Sequence, residues 1–372
     1  MPTQLIPSAF DRRSFLRAGG VGAGLVGGGL LLAACSGTSD PASSGSASSG
    51  GPGGSGTIAV QLSWIKNIEF AGEYFATENG YYKKAGFDAV TLLAGGGSTG
   101  AEDAILSNKA LVGLSSVSIT APAILKGAPL KVIGTTYQKN PFCLMSLEEK
   151  TPIKTVDDMK GKKIGVQSGG NQTIFEGFLK ANGLTTKDVQ LVTTQYDIAP
   201  LEKGTYDAHM SYTTNEPILA ASAGYTPVVL AFADNGLPFV AETFTTSDDS
   251  IKTKRELLKA FLKAEIQGWT DAVKDPAKSA ELAVTKYGKD LKLDQDEQTK
   301  EATAQVALIV TDDVNTNGLF TMTQDLIDEN IKSLAAMGTA ITADKLFDLS
   351  LLEEVYKENP DLITKFTVPS AS

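Results

Sequence analysis

Histidine and cysteine are almost missing from this chain: its 372 residues include one histidine, His209, and two cysteines, Cys35 and Cys143. Nucleophilic and acid–base catalysis at neutral pH usually recruits one of these residue types, and no local motif surrounds His209 or Cys143. His209 lies in an alternating run typical of a strand, and Cys143 has the surroundings of a small buried apolar residue. A Cys/His metal site or a disulfide scaffold needs more of these residues than the chain contains. The composition therefore predicts no enzyme, no metal and no cofactor.

Positive charge is also scarce, because 33 Lys and Arg stand against 43 Asp and Glu, for a net charge of −10. Removal of the first 35 residues, which carry three Arg and one Asp, brings the charge to about −12. An acidic surface disfavours nucleic acids and anionic lipid surfaces as partners.

The first 35 residues have the pattern of an export signal rather than of a folded domain. Arg12 and Arg13 precede an uncharged run at 18–34 that contains seven glycines and is only weakly apolar. This favours the twin-arginine route over an ordinary Sec signal, which stays the alternative, and over a membrane span of about 20 apolar residues. Residues 32–35, Leu-Ala-Ala-Cys, resemble the lipobox of bacterial lipoproteins, which implies lipidation of Cys35.

Residues 36–56 form a tether, since Gly and Ser make up 15 of these 21 residues. Such a segment has too little apolar surface to fold and reaches roughly 25 Å as a random coil. We therefore expect an extracytoplasmic module, lipid-anchored to the cell membrane, free to turn and monomeric.

The remaining residues alternate short apolar runs with amphipathic helices, which predicts an α/β fold. Strands are expected near 58–62, 89–93, 111–114, 131–135, 163–167, 189–192, 208–212 and 228–232, and the chain beyond 254 is expected to be mostly helical. The strands and helices fall into two successive α/β groups, and the chain is expected to pass from one group to the other near 142–146 and to return near 239–245. This predicts one lobe from 57–143 and 243–372 and a second from 144–242. A ligand cleft between them is expected, because strand ends and helix N-termini converge there.

A glycine-rich turn at 95–100, Gly-Gly-Gly-Ser-Thr-Gly, matches the dinucleotide fingerprint and lies between a strand and a helix. The next strand ends in Ser115 and Ser116, however, with no acid to hold a ribose. A tight turn that lets the backbone approach a ligand closely is the favoured interpretation.

Several motifs together resemble a known family. They are Trp64 after the first strand, "FAGEYFA" at 70–76, "ENGYYKKAGF" at 78–87, "DMKGKKIGVQSGGNQTIFEGFLKANGL" at 158–184 and "LEKGTYDAHMSYTTNEPI" at 201–218. Their order and spacing resemble those of type II periplasmic solute-binding proteins of ABC importers. Within this family they are similar to the branch that serves thiamine pyrimidine precursors, which has riboflavin, alkanesulfonate and nitrate binders as relatives. The resemblance implies a two-lobed venus-flytrap fold, hinge closure around a small molecule and delivery to permease subunits.

The resemblance also implies which residues border the cleft: Trp64, Asn67, Glu69, Ser116, Gln167, Asn171, Tyr212, Asn215 and Glu216, with Tyr196 and Asp197 as further candidates. These segments contain the carboxylates of Glu69, Asp197 and Glu216 but one cation, Lys66. A sulfonate or nitrate would be repelled, whereas an aminopyrimidine could pair with a carboxylate, Glu216 being the first choice, and stack on an aromatic ring. Helix capping by Glu69 and Asp197, and core packing by Trp64, are the structural alternatives.

Other functions remain open at this point. Within the resembling group, the ligand could be riboflavin, an alkanesulfonate such as taurine, or nitrate. From another class, thiamine pyrimidine synthases share the fold but use a pyridoxal phosphate lysine, a donor histidine and a cysteine-rich iron motif. One histidine, one cysteine after processing and an export signal argue against that enzyme.

Overall fold

The computed structural model describes residues 56–96 and 100–367. The predicted export signal, the lipidation site Cys35 and all of the tether except Gly56 lie outside the described residues. Within the described part, no helix combines the length and the apolar character needed to cross a membrane.

The described residues contain ten strands, numbered in chain order. They are β1 (Thr57–Gln61), β2 (Ala89–Leu93), β3 (Val112–Ser116), β4 (Leu130–Tyr137), β5 (Phe142–Leu147), β6 (Lys163–Gln167), β7 (Gln190–Thr194), β8 (Ala208–Tyr212), β9 (Pro227–Ala231) and β10 (Ala241–Ser247). They form two five-stranded sheets, ordered β2-β1-β3-β10-β4 and β7-β6-β8-β5-β9.

Each sheet combines a parallel part with one antiparallel strand. In the first sheet β1 is parallel to β2 and β3, and β10 runs antiparallel between β3 and β4. In the second sheet β6 is parallel to β7 and β8, and β5 runs antiparallel between β8 and β9. The chain passes from one sheet to the other twice, at 138–141 and at 232–240, so two connecting segments join the sheets.

Fifteen α-helices in the described residues cover the sheets. They are α1 (Ala71–Glu78), α2 (Tyr81–Lys84), α3 (Ala101–Leu106), α4 (Val117–Leu125), α5 (Gly170–Ala181), α6 (Ala199–Glu202), α7 (Glu216–Ser222), α8 (Asp248–Thr253), α9 (Arg255–Lys274), α10 (Pro276–Leu282), α11 (Gln295–Ile309), α12 (Asp312–Asn317), α13 (Gln324–Ala336), α14 (Ala343–Leu346) and α15 (Ser350–Glu358). Side-chain caps begin the long C-terminal helices: Asp294 accepts from two backbone N–H groups of α11, and Thr323 from one of α13.

The first core lies between the first sheet and helices α1 and α9. Gly72 of α1 is required there, because a Cβ atom at this position would lie 2.1 Å from Trp269 Cδ1 on α9. The glycine therefore lets the two helices approach until the buried indole fills the space between them. Phe244 of β10 and Phe261 of α9 pack edge to face in the same core.

The second core lies around the second sheet, where Phe178 stacks on Phe232 with ring centroids 3.9 Å apart. Leu334 of α13 and Leu346 of α14 belong to this core although they come from the C-terminal part of the chain. The helical C-terminal region therefore packs on both cores. The exact division of the chain into lobes stays a prediction.

The predicted α/β fold is confirmed. Most of the expected strands are present within a residue or two of the predicted bounds. The crossings between the sheets were expected near 142–146 and 239–245. They lie just before these segments, because 142–146 is part of β5 and most of 239–245 is part of β10.

Candidate functional site

A cavity of about 660 Å³ lies at the carboxyl ends of strands from both sheets. Ser63 and Trp64 follow β1, Ser116 ends β3, Gln167 ends β6 and Tyr212 ends β8, and all of them line the cavity. Ligands bind in this position in open α/β sheets because the loops and helix N-termini that follow the strands converge there.

The cavity brings together most of the residues predicted from the sequence. Its lining includes Trp64, Glu69, Ser116, Gln167, Asn171, Tyr212, Asn215 and Glu216. Lys66, the one cation of the predicted segments, is not in the lining.

Asn67 lies beneath the lining and orients Glu69. Its Nδ2 donates to Glu69 Oε1 at 3.0 Å, and its Oδ1 accepts from the Glu69 backbone N–H at 3.1 Å. This is the N-cap of the short 3₁₀ turn at Ile68–Phe70. Asn67 therefore contributes to the cavity through Glu69 and not by direct exposure.

Tyr196 and Asp197 lie outside the cavity, which corrects the prediction for these two residues. The Tyr196 side chain is 45% exposed, and Asp197 is an exposed residue whose Oδ1 accepts from the Ala199 backbone N–H at 2.9 Å. The physical reason is that β7 is an edge strand, so the chain leaves the cavity wall after Gln195, which does line it. Capping, the alternative interpretation of Asp197, is what the structure shows.

Trp64 explains the glycine-rich turn. The backbone N–H of Gly95 donates to Trp64 O at 2.7 Å, and a Cβ atom on Gly95 would lie 2.4 Å from the Leu62 carbonyl oxygen. Gly96 has a φ of 75°, and it packs against the Trp64 ring. A Cβ atom at Gly96 would lie 3.3 Å from Trp64 Cε3. The predicted approach was to a ligand; the close contacts observed at Gly95 and Gly96 are made to the Trp64 loop, and Gly96 also lines the cavity.

The cavity wall is acidic. Its lining includes the carboxyl groups of Glu69, Glu102, Asp103, Glu216 and Glu242, and no Lys, Arg or His among the described residues. An anion would find no cation to pair with here and would meet negative charge wherever these groups are ionised, whereas hydrogen-bond donors and cations would find acceptors.

Glu216 begins α7 and is only 6% exposed. Its Oε2 accepts from the Tyr212 backbone N–H at 2.9 Å, and burial raises the pKa of its carboxyl group to about 8. Burial also raises the pKa of Glu69 to about 7, against the opposing effect of hydrogen bonds from Asn67 and Asn215. Both groups therefore titrate near neutral pH.

Glu242 is a cavity residue that the sequence reasoning missed. It is the additional residue of a β-bulge between Ala241 and Thr243, with a φ of 50°. Such left-handed backbone is unfavourable for a non-glycine residue and recurs at functional sites. The available signal was a single acid inside the apolar run at 239–244, which should mark a buried charge.

Glu242 also connects the two sheets. Its Oε2 accepts from Ser63 Oγ at 2.7 Å, and its Oε1 accepts from the Tyr212 hydroxyl of the second sheet at 3.0 Å. Burial, followed by the charge of Glu69, raises the pKa of Glu242 to about 8. A second connection runs from Asn215 Nδ2 to Glu69 Oε1 at 3.3 Å. These bonds join residues that a change in the angle between the sheets would separate.

Glu102, like its neighbour Asp103, is a further acid of the lining that the sequence reasoning missed. It lies in the first turn of α3, and its Oε1 accepts from Ser115 Oγ at 2.6 Å and from Thr120 Oγ1 at 2.7 Å. The donors come from the end of β3 and from α4, so the position of the carboxylate depends on contacts that the local sequence does not reveal.

Histidine and cysteine lie away from the cavity in the described residues, and no metal-binding cluster is found there. His209 and Cys143 are fully buried in the second sheet and absent from the cavity lining. No group of three or more His, Cys, Asp or Glu within residues 56–96 and 100–367 is arranged to hold a metal ion.

Comparison with known proteins agrees with this geometry. A sequence model of the family described as "NMT1/THI5 like" matches residues 67–279, more than half of the chain. The riboflavin-binding protein RibY of Chloroflexus aurantiacus is 24% identical over 237 residues, which cover 61% of this chain and 65% of RibY. A 4-amino-5-hydroxymethyl-2-methylpyrimidine phosphate synthase of Uromyces fabae is 26% identical over 152 residues, 41% of this chain and 44% of that protein. The chain thus spans less than two thirds of the length of these relatives.

Solved structures show the same architecture. The periplasmic aliphatic sulphonate-binding protein SsuA of Escherichia coli superposes with a TM-score of 0.57 at 14% identity, covering 86% of this chain and 96% of SsuA. At that identity the likeness concerns the fold. The chain belongs to the NMT1/THI5-like family and has the α/β fold of the periplasmic binding proteins.

Proposed function

We propose that this protein is the ligand-binding component of an ABC importer and carries a small, flat, amino-bearing heterocycle of the thiamine pyrimidine precursor type. The architecture supports the role of a binding protein, since the cavity lies between two sheets that are joined by two chain crossings. In this proposal 57–143 and 243–372 form one lobe and 144–242 the other, and they close on the ligand. Permease subunits then distinguish the closed form from the open one.

The acidic lining is the observation that carries the choice of ligand. Five acidic residues and no described Lys, Arg or His line the cavity. The amidine edge of an aminopyrimidine consists of a ring nitrogen and an adjacent amino group. A carboxyl group complements both, because one oxygen accepts from the amino group while a shared proton joins the other oxygen to the ring nitrogen.

Glu216 is the best placed group for this contact. Its Oε2 is held by the Tyr212 backbone N–H, and the residue lines the cavity. Trp64 on the other side of the cavity supplies an aromatic surface on which a flat ring can stack. The pair combines a directional contact with a planar one, which is what a small heterocycle requires.

Riboflavin is the second candidate, and one observation favours it. The cavity of about 660 Å³ is larger than a single ring needs and falls within the range of about 300–1,000 Å³ that holds drug-sized ligands. RibY, a relative of this chain, is named as a riboflavin-binding protein. Against it, the imide edge of a flavin presents two carbonyl oxygens beside its N–H, and carboxylates repel those oxygens. The acidic lining therefore ranks riboflavin second.

Sulfonate, nitrate and synthase functions are less well supported. SsuA is named as a sulphonate-binding protein, but a sulfonate in this cavity would face five carboxyl groups. The Uromyces fabae relative is named as a synthase, but the histidine and cysteine of the described chain lie away from the cavity. We therefore propose a binding protein that is not an enzyme. Twin-arginine export and a lipid anchor at Cys35 complete the proposal.

Isothermal titration calorimetry of the purified protein tests the ligand. We expect heat with hydroxymethyl- and formylamino-aminopyrimidines and none with taurine or nitrate. Saturable binding of riboflavin without binding of any aminopyrimidine would replace the first candidate by the second. Binding of taurine or nitrate would contradict the argument from charge altogether. Small-angle scattering without compaction on saturation would contradict hinge closure.

A further inference from the structure

His209 is fully buried and does not line the cavity, but it contacts a residue that does. It lies on β8, opposite Met145 of β5 and Gly165 of β6. Its ring nitrogen Nε2 lies 3.0 Å from Nε2 of Gln167, and Gln167 lines the cavity. The only histidine of the chain therefore touches a side chain that faces the proposed ligand.

A backbone carbonyl determines which way the Gln167 amide points. Gln167 Nε2 lies 3.0 Å from the carbonyl oxygen of Met210, and a carbonyl oxygen can only accept a hydrogen bond. The amide NH₂ must therefore occupy this position. Because the same nitrogen also faces His209 Nε2, the imidazole accepts there and its proton is on Nδ1.

The other side of the imidazole is consistent with this tautomer. His209 Nδ1 lies 2.7 Å from the Tyr206 hydroxyl oxygen, to which it donates. The Tyr206 hydroxyl in turn lies 3.0 Å from Thr194 Oγ1, which can accept the tyrosine proton. The ring of Tyr206 covers Gly165, where a Cβ atom would be 2.6 Å from Tyr206 Cζ. Packing thus fixes the tyrosine, and the tyrosine fixes the imidazole.

The surroundings keep His209 uncharged. Burial lowers its pKa to about 4, and the charge of Asp197 opposes this only in part. The residues facing it from the neighbouring strands, Met145 and Gly165, carry no charge, and Tyr206 has a pKa raised by burial. A protonated ring would place two donors, Nε2–H and the Gln167 amide, against each other.

The orientation passes on to a second amide of the cavity wall. Because Gln167 Nε2 is turned toward β8, its Oε1 faces Asn171 and accepts from Asn171 Nδ2 at 3.0 Å. Asn171 also lines the cavity, at the start of α5. This bond leaves Asn171 Oδ1 as an acceptor for a ligand. The buried imidazole and the Met210 carbonyl together thus determine what two cavity residues present.

We propose that His209 is a positioning residue: as a neutral imidazole protonated on Nδ1, it acts together with the Met210 carbonyl to hold the Gln167 and Asn171 amides so that the second-sheet wall presents oxygen atoms to the ligand. The selection of a ligand rich in donors rests on the proposed function. The arrangement of the three side chains does not, and it can be tested in the ligand-free protein.

Nuclear magnetic resonance tests the arrangement directly, because the full chain contains a single imidazole. Long-range ¹H–¹⁵N spectra of the ¹⁵N-labelled protein should show a protonated Nδ1 and an unprotonated Nε2. Neither ¹⁵N chemical shift of the imidazole should change between about pH 8 and about pH 5, although a free histidine has a pKa of about 6.5. A coupling across the N–H···N bond between Gln167 Nε2 and His209 Nε2 is expected. A proton on Nε2, or a midpoint near the free value, would overturn the proposal.

Two variants connect the arrangement to ligand binding. His209→Gln can place a side-chain oxygen where Nε2 lies, so we expect binding of the aminopyrimidine within about threefold of the parent. His209→Phe keeps a ring but removes the acceptor, and should weaken binding roughly tenfold because the Gln167 amide keeps only the Met210 carbonyl to hold it and one of its N–H groups is left buried without a partner. Cys143→Ala, equally buried on β5 of the same sheet, is the matched control and should bind normally.

The outcomes separate this inference from the proposed function. Failure of every aminopyrimidine to bind would remove the proposed ligand but leave the spectroscopic result of the ligand-free protein intact. Unchanged binding by folded His209→Phe, or an equal loss in His209→Gln and His209→Phe, would refute positioning by the acceptor atom. If His209→Phe does not fold, the tautomer and the coupling in the parent protein still decide.

Discussion

Replacement of Glu216 by Gln should stabilise the ligand-free protein while weakening ligand binding. Glu216 has a folded-state pKa of about 8 because it is buried, against 4.5 in its ordinary state. Between these two values the folded protein holds a proton that the unfolded chain has lost. The free energy of unfolding therefore falls as the pH rises from about 4.5 to about 8. Below about pH 4.5 Glu216 is protonated in both states and no longer destabilises the folded protein.

The magnitude follows from the pKa difference. At neutral pH about 2.5 pH units separate the solution from the unfolded-state pKa, which corresponds to a destabilisation of at most about 3 kcal/mol. Because Glu216 lines a cavity and is not enclosed on every side, we expect a smaller gain of about 1–2 kcal/mol for Glu216→Gln. The attraction between a carboxylate and the N-terminus of α7, about 0.3–1 kcal/mol, is smaller and does not reverse the sign.

Urea unfolding of the parent and of Glu216→Gln at about pH 5 and about pH 8 measures the effect. The two proteins should be nearly equal in stability at the lower pH, with the variant more stable at the higher. Glu353→Gln, an exposed position on α15, is the matched control and should show no such divergence. A difference that is independent of pH, or a variant less stable at about pH 8, would refute the reasoning.

Three further predictions concern other parts of the structure. Tyr212→Phe removes the hydroxyl that donates to Glu242, so it should lower the free energy of unfolding by about 1–2 kcal/mol, and a double-mutant cycle with Glu242→Gln should recover most of that loss as coupling energy; additive effects would contradict the bond. Gly72→Ala places a Cβ 2.1 Å from the Trp269 indole and should destabilise by about 1–3 kcal/mol or more in thermal unfolding, and a neutral result would mean that α1 and α9 can separate freely. Ligand should quench the fluorescence of Trp64, and Trp64→Phe should abolish the change while the emission of buried Trp269 persists; quenching that survives in the variant would place the ligand elsewhere.

Features that depend on neighbours in the chain could be predicted from the sequence. Alternation of apolar runs and amphipathic helices is a local property, and it led to the α/β fold. The resemblance to the family marked the loops after β1, β3, β6 and β8, and it thereby predicted Trp64, Ser116, Gln167 and Glu216, which do line the cavity. Motif order along the chain was sufficient for the family, because it does not require knowledge of which strands become neighbours.

Contacts between distant parts of the chain depended on the tertiary structure. Ser63 and Glu242 are 179 positions apart, and they meet only because β10 returns to the first sheet and enters between β3 and β4. Sequence alternation cannot reveal that insertion, nor the bulge that turns Glu242 into the cavity, so this acid was missed. The edge position of β7 likewise placed Tyr196 and Asp197 outside. The sequence by itself determined which residues can form each strand and loop; strand order, a consequence of how the two cores pack, decided which of them face the ligand.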